Sequence, residues 1–332
     1  MKYIDRVYGK VEITESAILE LIESPTLQRL KGIDQAGHRP LWVKPNIKVG
    51  RYDHSRFSHS IGVYLLLRKY NAPFPEQIAG LIHDVSHSAF SHAGDYIFNE
   101  GSQKEHSHQD NIFEEYVRNS EIPGILEKYK FDLEYILDDK NFPLKENQLP
   151  DLCADRIDYS LRTAVVFGEL SEGDKNYILG NLMAEGKQWI FKNYESGQKY
   201  ADLFFRLNEI YYSGFSSALM FKVTGDLLRY AWEKKYISQD EIYTTDEIVL
   251  DKIKNFLPED DHLGLLWKRM SGEIKTENKK EEGSARVFCK SRIVDPLCKV
   301  GGKIKRVSDI NSEWKKVLEE EMKPKEYFIK FL

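Results

Sequence analysis

The densest set of groups able to do metal or acid–base chemistry lies in the segment GLIHDVSHSAFSH. Its chemistry-bearing side chains are those of His83, Asp84, His87 and His92. The three histidines are a third of the nine in the chain. Imidazole and carboxylate together suit divalent transition metals, and an imidazole also transfers protons near neutral pH. The pattern predicts a metal site with proton-transfer groups beside it, on one apolar helix over residues 74–90.

Two further residues could complete such a site, because two protein ligands hold a metal poorly. His59 lies in RFSHS on a predicted helix over residues 55–70, and Asp155 lies in CADRIDY on another over residues 151–168. Taken singly, each is more often a core residue or a helix cap. Three packed helices could instead direct both of them, with His83 and Asp84, at one point and leave positions open for water and substrate.

The elements around these residues are mainly helical by their apolar periodicity. Helices are also predicted at residues 14–24 and, as one long aromatic-rich helix, at 199–235. Residues 38–52 are predicted as a loop or a short hairpin, and residues 99–110 as a loop. The composition becomes polar near residue 272, and short strands, a helix and a last strand follow. The sequence predicts a mostly α fold, in which a helical bundle over 1–270 precedes a small mixed α/β domain over 271–332.

Composition narrows the function classes for this chain of 332 residues. The net charge of −5 provides no wide basic field, so strong nucleic-acid binding is not expected. The three cysteines are odd in number and form no CxxC pair, which favours a reducing compartment. No apolar run reaches 18 residues, and the N-terminus carries charges where a signal peptide is apolar. We therefore expect a cytoplasmic protein with no membrane span.

Four motifs together resemble a known family. They are TLQRLKGIDQAG (26–37), HSRFSHSIGV (54–63), HDVSHSAFSH (83–92) and DRIDYSLR (155–162). The order H…HD…D resembles the HD-domain metal-dependent phosphohydrolases. The details are similar to the dNTP triphosphohydrolases of the dGTPase and SAM-and-HD-domain type. The likeness spans roughly residues 1–235 and implies an HD-domain helical bundle.

The resemblance implies a chemistry for the histidine-rich segment and its partners. The metal ligands would be His59, His83, Asp84 and Asp155. They would hold one divalent transition metal, namely Mn, Fe, Co, Ni or Zn, with or without Mg. A water activated by the metal would attack the α-phosphorus of a (d)NTP and release nucleoside and triphosphate. The implied phosphate-contacting and catalytic side chains are those of Arg56, Arg156, His87, His92 and His108. The sequence leaves open which histidine is the general acid.

The nucleoside side of the implied site matches the family less fully. Gln35 and Tyr159 match sugar-contacting positions, and Arg206 and Tyr212 resemble part of a base-and-phosphate helix. Ala36 replaces a leucine, Thr163 replaces an aspartate that often holds the sugar 3′-OH, and a histidine that often follows the tyrosine is missing. The spacing of Asp158 and Arg162 predicts a structural i,i+4 pair.

These departures from the family pattern leave other functions open. One is a different HD nucleotide hydrolase, such as a monophosphatase, a pyrophosphohydrolase or a cyclic-nucleotide phosphodiesterase. Another is a nucleotide-sensing regulator without turnover. The resemblance further implies a homo-oligomer and a possible nucleotide effector. The basic residues Lys303, Lys305 and Arg306 of the tail could contribute to such an effector site or to an oligomer interface, although a basic strand edge is usually solvated surface.

Overall fold

Helices dominate the protein, which confirms the predicted mostly α class. The structure is a computed structural model that describes residues 1–38, 54–97 and 108–332. The helices are α1 (Ser16–Glu23), α2 (Pro25–Arg29), α3 (Arg56–Lys69), α4 (Phe74–Ile82), α5 (His108–Arg118), α6 (Ile122–Lys128), α7 (Leu133–Leu137), α8 (Ala154–Val166), α9 (Glu172–Asn181), α10 (Tyr194–Leu207), α11 (Phe215–Glu233), α12 (Gln239–Ile242), α13 (Asp246–Lys254), α14 (Asp261–Met270), α15 (Val307–Ile310) and α16 (Ser312–Glu321). Most of the loop predicted at 38–52 and most of that at 99–110 lie outside the described residues. No helix in the described ranges has both the length and the apolar character needed to cross a bilayer.

The strands form three small sheets. They are β1 (Lys2–Asp5), β2 (Gly9–Glu12), β3 (Leu182–Glu185), β4 (Gln188–Phe191), β5 (Thr276–Asn278), β6 (Ala285–Cys289), β7 (Leu297–Val300), β8 (Lys303–Arg306) and β9 (Lys325–Phe331). Strands β1 and β2 make an N-terminal hairpin, and the second sheet has the order β3-β4-β7-β8. The third has the order β5-β9-β6, with β9 antiparallel to both neighbours.

Helix α3 lies at the centre of the molecule. Every residue from Arg56 to Leu67 is buried. Val63 and Leu66 belong to one hydrophobic cluster, and Ile61 and Tyr64 belong to a second. A helix buried on all sides places its polar side chains against other parts of the protein rather than in water. The polar residues in its first turns, His59 among them, are therefore placed among neighbouring helices, chiefly α4 and α8.

The C-terminal segment shares the larger core with the helices. Strand β7 pairs in parallel with β4, with Ile190 opposite Leu297. The same hydrophobic cluster contains Ile293 and Trp314 from this segment and Phe204 from α10. The division into domains 1–270 and 271–332 stays a prediction. The packing shows that the tail is built onto the helical part rather than attached by a linker alone.

The predicted single helix over residues 199–235 is wrong, because the chain breaks between α10 and α11. A π-helical turn, Asn208–Tyr212, follows α10, and Gly214 caps the start of α11. A Cβ atom at Gly214 would lie 2.3 Å from the backbone oxygen of Glu209. The break therefore depends on glycine, and it turns Tyr211 and Tyr212 in a direction that one continuous helix would not give.

The close approach of α3 to α8 gives a first testable prediction. A Cβ at Gly62 would lie 2.1 Å from both Arg162 Nη2 and Asp158 Oδ1. We expect Gly62→Ala to lower the free energy of unfolding by about 2 kcal/mol through overpacking. Gly264 in α14 has open space around its Cβ position. Gly264→Ala should instead raise stability by up to about 1 kcal/mol, since alanine favours helices. Urea denaturation of both variants measures this, and equal effects at the two sites would contradict it.

Candidate active site

Three helices position the four predicted metal ligands. His59 lies in the second turn of α3, whose first turn is capped by the Ser55 hydroxyl accepting from Ser58 N–H at 3.2 Å. Asp155 lies in the first turn of α8. His83 and Asp84 follow directly after α4. Contacts of α3 with α4 and α8 bring the three segments together.

The donor atoms of these four side chains lie close together. His59 Nε2 is 2.8 Å from Asp155 Oδ1, 3.2 Å from His83 Nε2 and 3.7 Å from Asp84 Oδ2. His83 Nε2 is 3.4 Å from Asp84 Oδ1 and 3.4 Å from Asp155 Oδ1. His59, His83 and Asp155 each offer a donor atom within 4.8 Å of the other two, and Asp84 lies beside both imidazoles. Imidazole and carboxylate donors together form a mixed set that suits a divalent transition metal. The residues therefore fit the metal that the sequence predicts.

The electrostatics of the cluster favour positive charge at the same place. Burial alone would lower the pKa of His59, but hydrogen bonds to Asp155 and Asp158 and the charge of Asp84 raise it to about 9. Burial would raise the pKa of Asp84, but Arg56, His83 and His87 hold it well below its usual range. The carboxylates are thus ionised, and a cation between them would be stabilised.

Both imidazoles are oriented by partners on their other nitrogen. His59 Nδ1 is 2.8 Å from Asp158 Oδ2, and His83 Nδ1 is 2.8 Å from the Gly80 carbonyl oxygen. Histidine ligands commonly donate their second N–H to a carboxylate or a carbonyl, which leaves the Nε2 lone pair for the metal. In His59 and His83 the same arrangement directs Nε2 into the cluster.

Asp158 belongs to a largely buried polar network behind His59. Its carboxylate accepts from Arg162 at 2.9 and 3.0 Å and from the Tyr8 hydroxyl at 2.9 Å, while Arg162 also donates to Asp5 at 3.0 Å. Asp158 and Arg162 are at most 1% exposed. The structural pair predicted from their i,i+4 spacing is therefore formed, and it also fixes the ring of His59.

The prediction that residues 74–90 form one helix is wrong in its second half. Helix α4 ends at Ile82, residues 83–86 form turns, and His87 follows without regular structure. Arg29 Nη2 donates to the carbonyls of Val85 and His87 at 2.7 and 2.8 Å. The backbone N–H of Phe90, a left-handed residue with φ 62°, donates to Asp246 Oδ1. The segment thus bonds to distant residues instead of continuing the helical ladder.

The cluster opens into a cavity of about 420 Å³. The predicted site residues on its walls are Gln35, Arg56, His83, Asp84, His87, His92, Asp155, Arg156, Tyr159 and Tyr212. His59 lies fully buried behind the wall, in contact with His83 and Asp155. The described chain thus places eleven of the thirteen predicted residues at one site. The side chain of His108, which begins α5, lies outside the described part.

Arg206 is the predicted residue that the structure places elsewhere. Its guanidinium is about half exposed and donates to the Glu169 carbonyl at 2.5 Å. Arg206 lies in the last turn of α10, at an exposed position of that helix.

The two predicted phosphate-contacting arginines are already engaged with the protein. Arg56 donates to Asp84 at 2.8 Å, to the Ser91 hydroxyl at 2.9 Å and to the Gln35 carbonyl at 3.1 Å. Arg156 donates to the Asp151 and Asn147 carbonyls at 2.6 and 3.2 Å. Arg56 therefore positions the carboxylate of Asp84 as well as lining the cavity.

Two histidines of the segment lie side by side on the cavity wall. The rings of His87 and His92 meet edge to face with centroids 5.0 Å apart, and His87 Nε2 is 3.3 Å from Asp84 Oδ1. Imidazoles in this position can exchange protons with a ligand held at the cluster.

Sequence reasoning missed several residues of the cavity. They include His54, Phe113, Lys145, Glu146, Lys290 and Arg292. Lys290 and Arg292 come from the C-terminal segment, some 130 residues beyond Asp155 in the chain. The signal that the sequence offers is the alternation of small and cationic residues in CKSR. In the structure, Cys289 and Ser291 are buried, whereas Lys290 and Arg292 are only partly buried.

Comparisons with known proteins identify the family that the chain is similar to. The family described as HD domain matches residues 56–162, which include all four predicted ligands. The chain is 32% identical over 255 residues to the uncharacterised protein YdhJ of Bacillus subtilis, covering 76% of this chain and 75% of YdhJ. It is 34% identical to the metal-dependent phosphohydrolase cns2 of Cordyceps militaris over 54% of this chain and 50% of cns2.

Two further likenesses are more partial or more distant. The deoxynucleoside triphosphate triphosphohydrolase SAMHD1 of Danio rerio is 38% identical over 28% of this chain and only 16% of its own length. The fold is similar to that of a hypothetical protein from Aquifex aeolicus, with a TM-score of 0.73 at 17% identity over 100% of this chain and 96% of that one. Together with the match to YdhJ over most of both chains, these findings show that the chain belongs to the HD-domain family of metal-dependent phosphohydrolases.

Proposed function

We propose that the protein is a (d)NTP triphosphohydrolase, which breaks the bond between the α-phosphorus and the 5′ oxygen and releases nucleoside and triphosphate. The convergence of the predicted ligands on one wall of a cavity of about 420 Å³ supports it best. Cavities of this order take ligands the size of a nucleotide. The partial similarity to SAMHD1 points to the same reaction.

His59, His83, Asp84 and Asp155 would hold one divalent metal, with Mn, Fe, Co, Ni and Zn all compatible with the donor set. When bound, the metal supplies Lewis acidity toward a phosphate and lowers the pKa of water. The chain contributes the orientation of the ligands. Asp158 and Gly80 hold the two imidazoles, and Arg56 holds the carboxylate of Asp84.

The chain also supplies the protons and charge that the leaving group needs. The 5′ oxygen must gain a proton as its bond to phosphorus breaks. We assign this role to the adjacent pair His87 and His92, which line the cavity beside Asp84. Arg56 and Arg156 place positive charge on the same walls, where it would stabilise the charge on phosphate oxygens. His108 stays a predicted member of this group.

Two polar groups support a nucleoside end of the cavity. Neither Gln35 Oε1 nor the Tyr159 hydroxyl has a hydrogen-bond partner among the described residues, although both atoms are buried. Buried polar atoms are rarely left unpaired, so a ligand hydroxyl is a fitting partner for each. Tyr212 packs edge to face on Tyr159 with ring centroids 5.4 Å apart. These contacts fit a sugar ring with a base beside it.

One observation favours an alternative to this reaction, namely a different HD nucleotide hydrolase activity. Arg206, which the family resemblance assigns to base and phosphate, lies outside the cavity. A substrate with fewer phosphates, or a cyclic nucleotide, would not need it. Nucleotide sensing without turnover, a nucleotide effector and a homo-oligomer stay predictions.

Product analysis separates these candidates. Purified protein with Mn²⁺ would be incubated with dNTPs, NTPs, monophosphates and cyclic nucleotides, and the products separated by chromatography. We expect nucleoside and intact triphosphate in equal amounts from at least one triphosphate. A His83→Ala preparation, purified in the same way, controls for contaminating phosphatases. Orthophosphate or pyrophosphate as the only phosphorus product would overturn the proposed reaction.

A further inference from the structure

Arg292 is a cation of the cavity that the family motifs do not contain. It lies in the extended segment after β6 and lines the cavity together with Lys290, the metal-ligand cluster and Tyr159. Side chains of an extended chain point alternately to opposite sides. Cys289 and Ser291 are buried in the core, and Lys290 and Arg292 therefore face the cavity.

Four hydrogen bonds hold this segment in place. Cys289 Sγ lies 3.3 Å from the Tyr212 carbonyl oxygen. The side chain of Asn208 accepts from the Arg292 backbone N–H at 2.9 Å and donates to the Ser291 hydroxyl at 2.9 Å. Glu321 Oε2 accepts from the same hydroxyl at 3.1 Å. Asn208, the first residue of the π-helical turn, thus fixes the backbone of Arg292.

The charged partners of the cavity cations distinguish Arg292 from the others. Arg56 pairs with Asp84, Lys145 pairs with Asp139, and Arg156 lies 3.7 Å from Glu146. In the described part of the chain, the guanidinium of Arg292 has neither a carboxylate partner nor a hydrogen bond. A partly buried guanidinium that lines a cavity in this way is suited to bind an anionic ligand group in a bidentate manner.

We propose that Arg292 binds the phosphates beyond the α-phosphate, so that the C-terminal segment completes the substrate site. The inference rests on the proposed function, because it takes a polyphosphate substrate as the occupant of the cavity. Arg292 takes the role that the resemblance gives to Arg206, which points away from the cavity. Arg56 and Arg156 are held by bonds to the protein beside the metal-ligand cluster, so we assign them to the α-phosphate end of the cavity and Arg292 to the distal phosphates.

The test is direct binding of inorganic tripolyphosphate, measured by calorimetry with Mn²⁺ in excess over the tripolyphosphate. We expect Arg292→Ala to bind it about ten- to a hundred-fold more weakly than the unchanged protein, as for loss of a charged hydrogen bond. Orthophosphate should bind equally to both. Arg292→Lys keeps the positive charge but loses the paired N–H donors of the guanidinium, and it should give an intermediate affinity. Arg286→Ala, an exposed arginine on β6 paired with Glu326, is the matched control.

The outcomes separate this inference from the proposed reaction. Unchanged tripolyphosphate affinity in Arg292→Ala, or a loss seen in Arg206→Ala instead, would overturn the inference even if nucleoside and triphosphate are produced. Failure of the protein to bind tripolyphosphate at all would overturn it too. Binding that depends on Arg292, with no triphosphate among the products of the nucleotide panel, would support the inference and reject the proposed reaction.

Discussion

Replacing His83 by alanine should abolish both metal binding and phosphohydrolase activity while leaving the helical fold intact. His83 Nε2 lies within 3.4 Å of donor atoms from His59, Asp84 and Asp155. Its loss removes one of the four predicted ligands. Loss of several kcal/mol of metal-derived transition-state stabilisation corresponds to about 1,000-fold or more in rate.

His83 is the better choice for this test than Asp84. Asp84 is the ion-pair partner of the buried Arg56, so its removal would leave an uncompensated buried charge and destabilise the fold. His83 lies in a turn after α4 with 12% of its side chain exposed, and its removal breaks no ion pair with an arginine or a lysine.

Metal content by atomic spectroscopy, turnover and circular dichroism would be compared with those of a matched variant. His262→Ala removes an exposed histidine outside the cavity that packs on Tyr230. We expect it to keep metal and activity. A His83→Ala protein with full metal content and full turnover would refute the assignment of His83 as a ligand.

The sequence was most informative where function needs several residue types at fixed positions. His59 and Asp155 lie on helices α3 and α8, which the sequence predicted over residues 55–70 and 151–168. Their convergence with His83 and Asp84 followed from the joint motif rather than from either helix alone. The Asp158–Arg162 pair could also be predicted from the sequence, because i,i+4 spacing on a helix is a local property.

The sequence was least informative where distant residues decide the backbone. The turns after Ile82 depend on Arg29, on the Ile242 carbonyl that accepts from Ala89 N–H at 2.8 Å, and on Asp246. None of these partners is visible in the local apolar pattern, which continued through residue 90. The position of Arg292 likewise depends on bonds to Asn208, more than 80 residues away in the chain.

Replacing Asp158 by asparagine should weaken metal binding and destabilise the protein, although Asp158 is not itself a predicted ligand. The neutral amide has nearly the same shape but removes the charge that faces His59 and Arg162. The side chains of Asp158 and Arg162 are both almost fully buried. In the variant, Arg162 would keep Asp5 as its other ion-pair partner. We expect the free energy of unfolding to fall by about 3 kcal/mol, at the low end for a broken buried ion pair.

The effect on metal binding has a different cause and needs its own measurement. Outer-shell partners of metal-bound histidines are commonly worth 10- to 100-fold in metal affinity, so we expect a loss of about that size. Unfolding would be measured in chelator, which isolates the structural part, and the dissociation constant for Mn²⁺ by titration of the folded apoprotein. Asp202→Asn, at an exposed position in α10, should change neither quantity.

The two possible roles of Asp158 predict different results for metal affinity. If Asp158 only pairs with Arg162, the chelator-treated protein is destabilised and the Mn²⁺ affinity is unchanged. If it also holds the His59 ring with Nε2 directed at the cluster, both quantities fall. The 2.8 Å contact between Asp158 Oδ2 and His59 Nδ1 favours the second result. One buried carboxylate would then connect the stability of the α3–α8 contact to the metal site.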